Sequence, residues 1–86
     1  MQNETPIMRA FTLNYHFMET FSLDKKNHVD LSKLLLLMDI CYSKKEVEQL
    51  IIGKRVCVNG IMEIREHAKI RYGNIVEVNG HKIMIE

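Results

Sequence analysis

Two pairs of basic residues bracket a short helix-forming stretch of this 86-residue chain. Lys44 and Lys45 stand at its start, and Lys54 and Arg55 follow its end. The first turn of a helix presents free backbone N–H groups and the positive end of the helix dipole, and both attract anions such as phosphate. The spacing therefore predicts an anion-binding surface along a helix of about three turns. Two glutamates between the pairs support the alternative, an ordinary solvated face.

Local signals predict the helix that positions these cations. Ser43 is a typical N-cap, and Glu46 three residues later completes a capping box. Gly53 can end the helix in the left-handed conformation, which glycine adopts without steric cost. The residues at helical spacing between these signals are apolar and predict one buried face: Val47, Leu50 and Ile51.

The sequence after the helix predicts strands joined by tight hairpins. Val56 and Val58 alternate with Cys57, and Asn59-Gly60 is a strong hairpin signal. A second Asn-Gly pair, Asn79-Gly80, precedes a closing strand over residues 82–85. These segments predict a small, mostly antiparallel sheet.

A first helix is predicted upstream, with Asp30 as its N-cap. Its apolar residues follow the i, i+3, i+4, i+7 pattern, and two further leucines predict cover on more than one side. A short strand is expected over residues 19–23 and a turn over residues 24–28. Two helices on one face of a small sheet make an α+β domain. The apolar residues of this helix are Leu31, Leu34, Leu35, Leu36, Leu37 and Met38.

A second basic group, Arg65, Lys69 and Arg71, lies on the connection after the first hairpin. It can extend the anion-binding surface, or it can be a solubilising charge at a sheet edge. Tyr42 directly precedes the helix cap. It can stack on an unpaired base or seal the core, and we favour the core interpretation.

Composition limits the function. The net charge is only +1, so binding to a polyanion must depend on clustering rather than on the total charge. Apolar runs are too short to span a membrane, and two cysteines are too few for a disulfide scaffold. The four histidines lack metal-ligand spacing, and no phosphate loop or nucleophile motif occurs. We expect a protein that is not an enzyme, that binds no metal, cofactor or small-molecule substrate, and that does not associate with a membrane.

Residues 28–79 resemble the S4-type RNA-binding domain, the family of small-subunit ribosomal protein S4. The family pattern runs from Leu-x-x-Leu-Leu through a Ser-basic pair and an apolar pair four residues apart to Val-x-Val-Asn-Gly and a Gly-Asp turn. The matching residues are Leu31, Leu34 and Leu35, then Ser43 and Lys44, Val47 and Ile51, residues 56–60, and Gly73-Asn74.

The resemblance extends over residues 18–86 to a stand-alone, YbcJ-like branch of small ribosome-associated proteins. It implies an S4-like fold with the αL motif, a cytoplasmic protein, and recognition of structured, ribosomal RNA through phosphate contacts. Residues 1–17 have no counterpart and are expected to be an extension that is partly strand or disordered. The alternative is a protein-interaction or structural module that keeps the S4-like fold with weakened RNA binding. The implied RNA-binding residues are Ser43, Lys44, Lys45, Lys54, Arg55, Arg65, Lys69 and Arg71.

The chain departs from the family pattern at four places. Asp30 replaces a basic residue at the start of the first helix, and Glu66 and His67 interrupt the basic loop. Asn74 stands for an aspartate in the turn. The family's glycine before the strand falls at Lys54, one residue after Gly53. Either the helix ends early, or Lys54 takes the turn conformation itself.

Overall fold

The structure, a computed structural model, describes residues 18–86. The extension predicted for residues 1–17, and the strand expected in its second half, lie outside the described residues. The elements in chain order are β1 (Met18–Phe21), β2 (His28–Asp30), α1 (Leu31–Leu37), α2 (Lys44–Ile52), β3 (Val56–Val58), β4 (Ile61–Met62), β5 (Lys69–Arg71), β6 (Ile75–Val78) and β7 (His81–Ile85).

Five strands form one sheet in the order β1-β7-β6-β3-β4. The parallel pair is β1 with β7, and the other neighbours are antiparallel. The α+β fold with a mostly antiparallel sheet is confirmed. Alternation along β6 and β7 turns every second residue towards the core, so that Val76 pairs with Ile83 inside while Ile75 pairs with Met84 on the opposite face.

Both helices contribute buried apolar residues to the core on the inner face of this sheet. Val47 and Ile51 of α2 are buried, as the predicted stripe requires. Leu36 is half-buried and Leu37 is 55% exposed, so the prediction that α1 is covered on more than one side is wrong for its last turn. The fully buried side chains of the core are Leu31, Leu34, Leu35, Val47, Val56, Val76 and Ile83.

A separate two-stranded sheet, β2 with β5, was not predicted. His28 lies in β2 and pairs with Arg71, whereas the sequence placed it in a turn. The backbone N–H groups of Leu31 and Ser32 donate to the carbonyls of Ala68 and Glu66 at 2.9 and 3.0 Å. The start of α1 is therefore fixed to the loop that precedes β5.

Both Asn-Gly pairs form the predicted hairpins. Asn59 and Gly60 have φ of 54° and 80°, and Asn79 and Gly80 have φ of 49° and 81°. Positive φ at both central residues is the geometry that matches the twist of adjacent strands. The Asn59 side chain also accepts a hydrogen bond from the Ile75 N–H at 2.8 Å. Asn59 thus has a structural role that ties the β3–β4 hairpin to β6.

Candidate nucleic-acid interface

The start of α2 is capped as predicted, with one displacement. The backbone N–H of Glu46 donates to Ser43 Oγ at 3.2 Å. The Glu46 carboxylate accepts from the N–H of Tyr42, one residue before the cap, rather than from that of Ser43. Ser43 therefore orients the first turn of α2, so that Lys44 and Lys45 are its first two residues and are both exposed. The structure gives Ser43 a capping role, and its contact with RNA stays a prediction.

Lys44 and Lys45 lie where the fold itself disfavours a cation. The helix dipole stabilises acidic residues in a first turn and destabilises basic ones, typically by about 0.3–1 kcal/mol each. The capping hydroxyl and the buried Val47 are sufficient to explain the helix start. The two lysines add nothing to that start, and a role outside the fold accounts for them better.

Tyr42 is exposed, and the core interpretation is wrong. Its side chain is 78% exposed, while Cys41 just before it is 2% exposed and occupies the buried position. Ser43 is extended, with φ of −152°. The chain enters α2 with the thiol inside, and the tyrosine ring faces solvent beside Lys44 and Lys45.

The turn after α2 shows how the chain accommodates a glycine that lies one residue earlier than in the family pattern. Gly53 has φ of −74°, so the prediction that it takes the left-handed conformation is wrong. Lys54 takes it instead, with φ of 60°. The N–H groups of Lys54 and Arg55 donate to the carbonyls of Ile51 and Leu50, each at 3.0 Å, which is a Schellman motif with lysine at the position that usually holds glycine.

Lys54 is therefore the third cation placed against local preference. A left-handed conformation costs a residue with a Cβ about 1–2 kcal/mol relative to the right-handed one. This conformation does not add to stability, which is consistent with a role of Lys54 outside the fold.

We expect Lys54→Gly to raise stability and weaken polyanion binding. Relief of the left-handed strain should stabilise the domain, but by only about 0.5–1 kcal/mol, because the greater freedom of glycine in the unfolded chain offsets part of the gain. Loss of one cation should lower affinity for a structured RNA about fivefold. Urea denaturation and fluorescence anisotropy measure the two effects.

Asp39→Gly is the matched control for Lys54→Gly. Asp39 has φ of 59° at the same position of the Schellman motif that ends α1. Its replacement should also stabilise the domain, though by less, because aspartate tolerates the left-handed conformation better than lysine does, and it should leave affinity unchanged within about twofold. If both variants weaken binding alike, the charge of Lys54 is not the cause.

Arg55 and Tyr42 line the same cleft. The cleft has a volume of about 440 Å³ and lies between the α1–α2 link, one side of α2 and the β6–β7 turn. The sequence predicted an anion-binding surface along the helix that the two basic pairs bracket. The structure places Arg55 in the lining of a groove that is also lined by Tyr42, the neighbour of the first basic pair.

Arg65, Lys69 and Arg71 come together at a different cleft. It is a groove of about 650 Å³ that these three residues line with Glu66 and His67. Lys69 and Arg71 flank the buried Ile70 and point to the same side of β5. The second basic group is thus a real cluster, and it lines a different cleft from Arg55.

Acidic residues partly neutralise this second cluster. The Arg65 Nε atom lies 3.0 Å from Glu63 Oε2, and a second bond joins the Arg65 Nη2 atom to Glu63 Oε1 at 3.3 Å. This hydrogen-bonded pairing lowers the pKa of Glu63 and raises the pKa of Arg65. Three-quarters of the Arg65 side chain stays exposed. Arg65 can still contact a phosphate, but the carboxylate of Glu63 that is paired with it offsets part of its charge.

Asp30 interrupts the cluster further. As expected it caps α1, accepting from the Lys33 N–H at 3.4 Å. Its other oxygen lies 2.8 Å from His67 Nδ1, while His67 Nε2 is 3.7 Å from Glu66. Within residues 18–86 no set of three His, Cys, Asp or Glu side chains is arranged to hold a metal ion.

The RNA-binding residues predicted from the sequence did not include two exposed aromatic residues, Tyr42 and Tyr72. Tyr72 is 78% exposed, as Tyr42 is, and each adjoins one of the basic groups. A tyrosine beside a basic residue at a predicted cap or turn was the available signal. Each ring offers a stacking surface next to cations.

No helix among residues 18–86 is long and apolar enough to cross a membrane.

Comparison with known proteins gives consistent matches. Residues 21–86 match the family model of the S4 domain. The chain is 37% identical over 68 residues to a protein of Escherichia coli (strain K12) named "Putative RNA-binding protein YbcJ". It is equally similar to "Uncharacterized protein YbcJ" of Shigella flexneri. Each match covers 79% of this chain and 97% of the relative.

The fold also matches a solved structure. The solution structure of YbcJ from E. coli, described as revealing a motif (αL) involved in RNA binding, aligns with a TM-score of 0.65 and 31% identity. The alignment covers 94% of this chain and 98% of that one.

Proposed function

The chain belongs to the S4 domain family, and on this premise we propose that it binds structured RNA through a surface centred on α2. The S4-type resemblance predicted from the sequence is confirmed by the family match and by the YbcJ relatives. RNA binding is the activity given in the name of the E. coli relative and in the description of the solved YbcJ structure, and the surface on α2 is our assignment to this chain.

One observation carries the assignment. Lys44, Lys45 and Lys54 are exposed cations at positions where the helix dipole or the backbone conformation disfavours them. Arg55 follows directly. Four cations near one short helix suit the phosphates of an RNA backbone, which are read by position and shape rather than by base sequence.

We further propose that the RNA is ribosomal and that binding is the whole activity. The similarity to small proteins that consist of one S4 domain supports a binding role without chemistry. A ribosomal partner implies action in the cytoplasm. Arg65, Lys69 and Arg71 are proposed as a weaker, secondary contact, because Glu63, Glu66 and Asp30 offset their charge.

Salt dependence tests the proposal and counts the contacts. Four phosphate contacts give a slope of log K against log salt of about −3 to −4, and seven, with the second cluster included, give about −5 to −6. We expect the shallower value for a ribosomal RNA fragment measured by fluorescence anisotropy. Binding that is undetectable at low salt, or independent of salt, would contradict it.

The alternative function is a protein-interaction module. It is favoured by the offset charge of the second cluster and by Met18, Met62 and Met84, which are exposed on the sheet face opposite the helices. Exposed methionines adapt to varied partners. A flat salt response to RNA would favour this alternative.

A further inference from the structure

The cleft lined by Tyr42 and Arg55 has the size and chemistry of a nucleotide site. We propose that it binds one unpaired nucleotide of the RNA, with the base on the Tyr42 ring and a phosphate at Arg55. The inference rests on the proposed RNA binding. A volume of about 440 Å³ lies within the range of ordinary small-ligand pockets, roughly 300–1,000 Å³.

The floor of the cleft is apolar. Ile40 and Leu50 are half-buried there, and Cys41 is buried. Burial, with a smaller contribution from the nearby Glu46 carboxylate, raises the pKa of the Cys41 thiol, so that the sulfur stays neutral. An uncharged, apolar floor suits the face of a nucleobase better than it suits a phosphate.

The rim offers stacking and hydrogen-bonding groups. Tyr42 exposes 78% of its surface at one end, and such a ring stacks on any base. Gln49 and Asn79 border the cleft from α2 and the β6–β7 turn. Their amides both donate and accept hydrogen bonds, as the edges of unpaired bases do.

Charge sets the direction of the nucleotide. The Glu46 carboxylate, which accepts from the Tyr42 N–H, lies on the cleft at the tyrosine end and repels phosphate there. Arg55 lines the cleft after the end of α2, whereas Tyr42 precedes the start of that helix, and the Arg55 guanidinium attracts phosphate. Lys44 and Lys45, beside Tyr42 on the outside of the helix start, can hold the neighbouring backbone. The base therefore enters at Tyr42 and the phosphate lies at Arg55.

Stacking at Tyr42 needs a base that has left its duplex. A fully paired RNA can use only the cations, whereas an RNA with a bulged nucleotide can use the cleft as well. Two hairpin RNAs that differ by one bulged adenosine separate the two contributions. We expect the wild-type protein to bind the bulged hairpin about tenfold more tightly in fluorescence anisotropy.

Two variants test whether the preference for the bulged hairpin depends on the aromatic ring of Tyr42. Tyr42→Phe should keep it, because the stacking face is retained, and Tyr42→Ala should remove it while the paired hairpin binds as before. Circular dichroism should show both variants folded, since the residue is exposed. Equal wild-type affinity for the two hairpins, or a preference that survives Tyr42→Ala, would overturn the inference and leave the proposed function intact. Failure to bind either hairpin at low salt would overturn both.

Discussion

Reversing the two charges at the start of α2, Lys44→Glu with Lys45→Glu, should lower RNA affinity on the order of 100-fold. Two charge-assisted phosphate contacts are lost, each worth roughly 1–2 kcal/mol at an exposed site, and carboxylates then repel the backbone. The slope of log K against log salt should become shallower by about 2, because each lysine accounts for about one unit. Anisotropy titrations of one RNA at several salt concentrations measure both quantities.

The double variant should stay folded. Acidic residues in the first turn interact favourably with the helix dipole, and repulsion between Glu at position 44 and Glu48 offsets part of this gain. We expect the melting temperature to change by only a few degrees, which separates a binding defect from an unfolded protein.

Lys25→Glu with Lys26→Glu is the matched control for the reversal. Both residues are exposed on the turn between β1 and β2, and the change in net charge is the same. The control should lose less than about threefold in affinity, since it affects only the long-range field. Equal losses in the two double variants would show that net charge, and not the surface on α2, determines binding.

Truncation of one core side chain, Leu35→Ala, should have the largest effect on stability. Leu35 lies on α1 and is fully buried in the core. Its carbonyl also accepts from the N–H groups of Ile40 and Cys41, at 3.0 and 3.1 Å, in the link that leads to α2. Such a truncation leaves a cavity and costs about 2–5 kcal/mol, a large fraction of the stability of a domain this small.

Leu37→Ala tests the reason for that cost. Leu37 lies on the same helix, but it is 55% exposed, so its removal should cost less than about 1 kcal/mol. In thermal denaturation the Leu35 variant should melt more than 10 °C below the wild type, and the Leu37 variant within a few degrees of it. Similar shifts for the two variants would mean that α1 does not pack as described.

Features encoded by neighbouring residues were predictable from the sequence. The Ser43 cap and both Asn-Gly hairpins were predicted, because each depends on side chains within three or four residues. The pairing of β2 with β5 was missed. It joins three residues on each side across about 40 positions of sequence, and so short a strand has no period of its own.

The sequence predicted which residues are candidates for the site, but it could not predict their arrangement. The chain order shows that Lys54 and Arg55 follow α2, yet the left-handed conformation of Lys54 depends on how the whole turn closes. The exposure of Tyr42 depends on Cys41 taking the buried position, a competition that spacing alone does not decide. The meeting of Tyr42 with Arg55 in one cleft requires the folded position of the β6–β7 turn.

An NMR titration is the most direct way to determine whether RNA binds at α2. Backbone amide shifts of the uniformly ¹⁵N-labelled protein would be followed as a structured ribosomal RNA fragment is added. We expect the largest changes at residues 42–46 and 53–55, smaller ones at residues 65–71, and little change on the outer sheet face around Met62 and Met84. Changes centred on that sheet face, with α2 unaffected, would contradict RNA binding at α2.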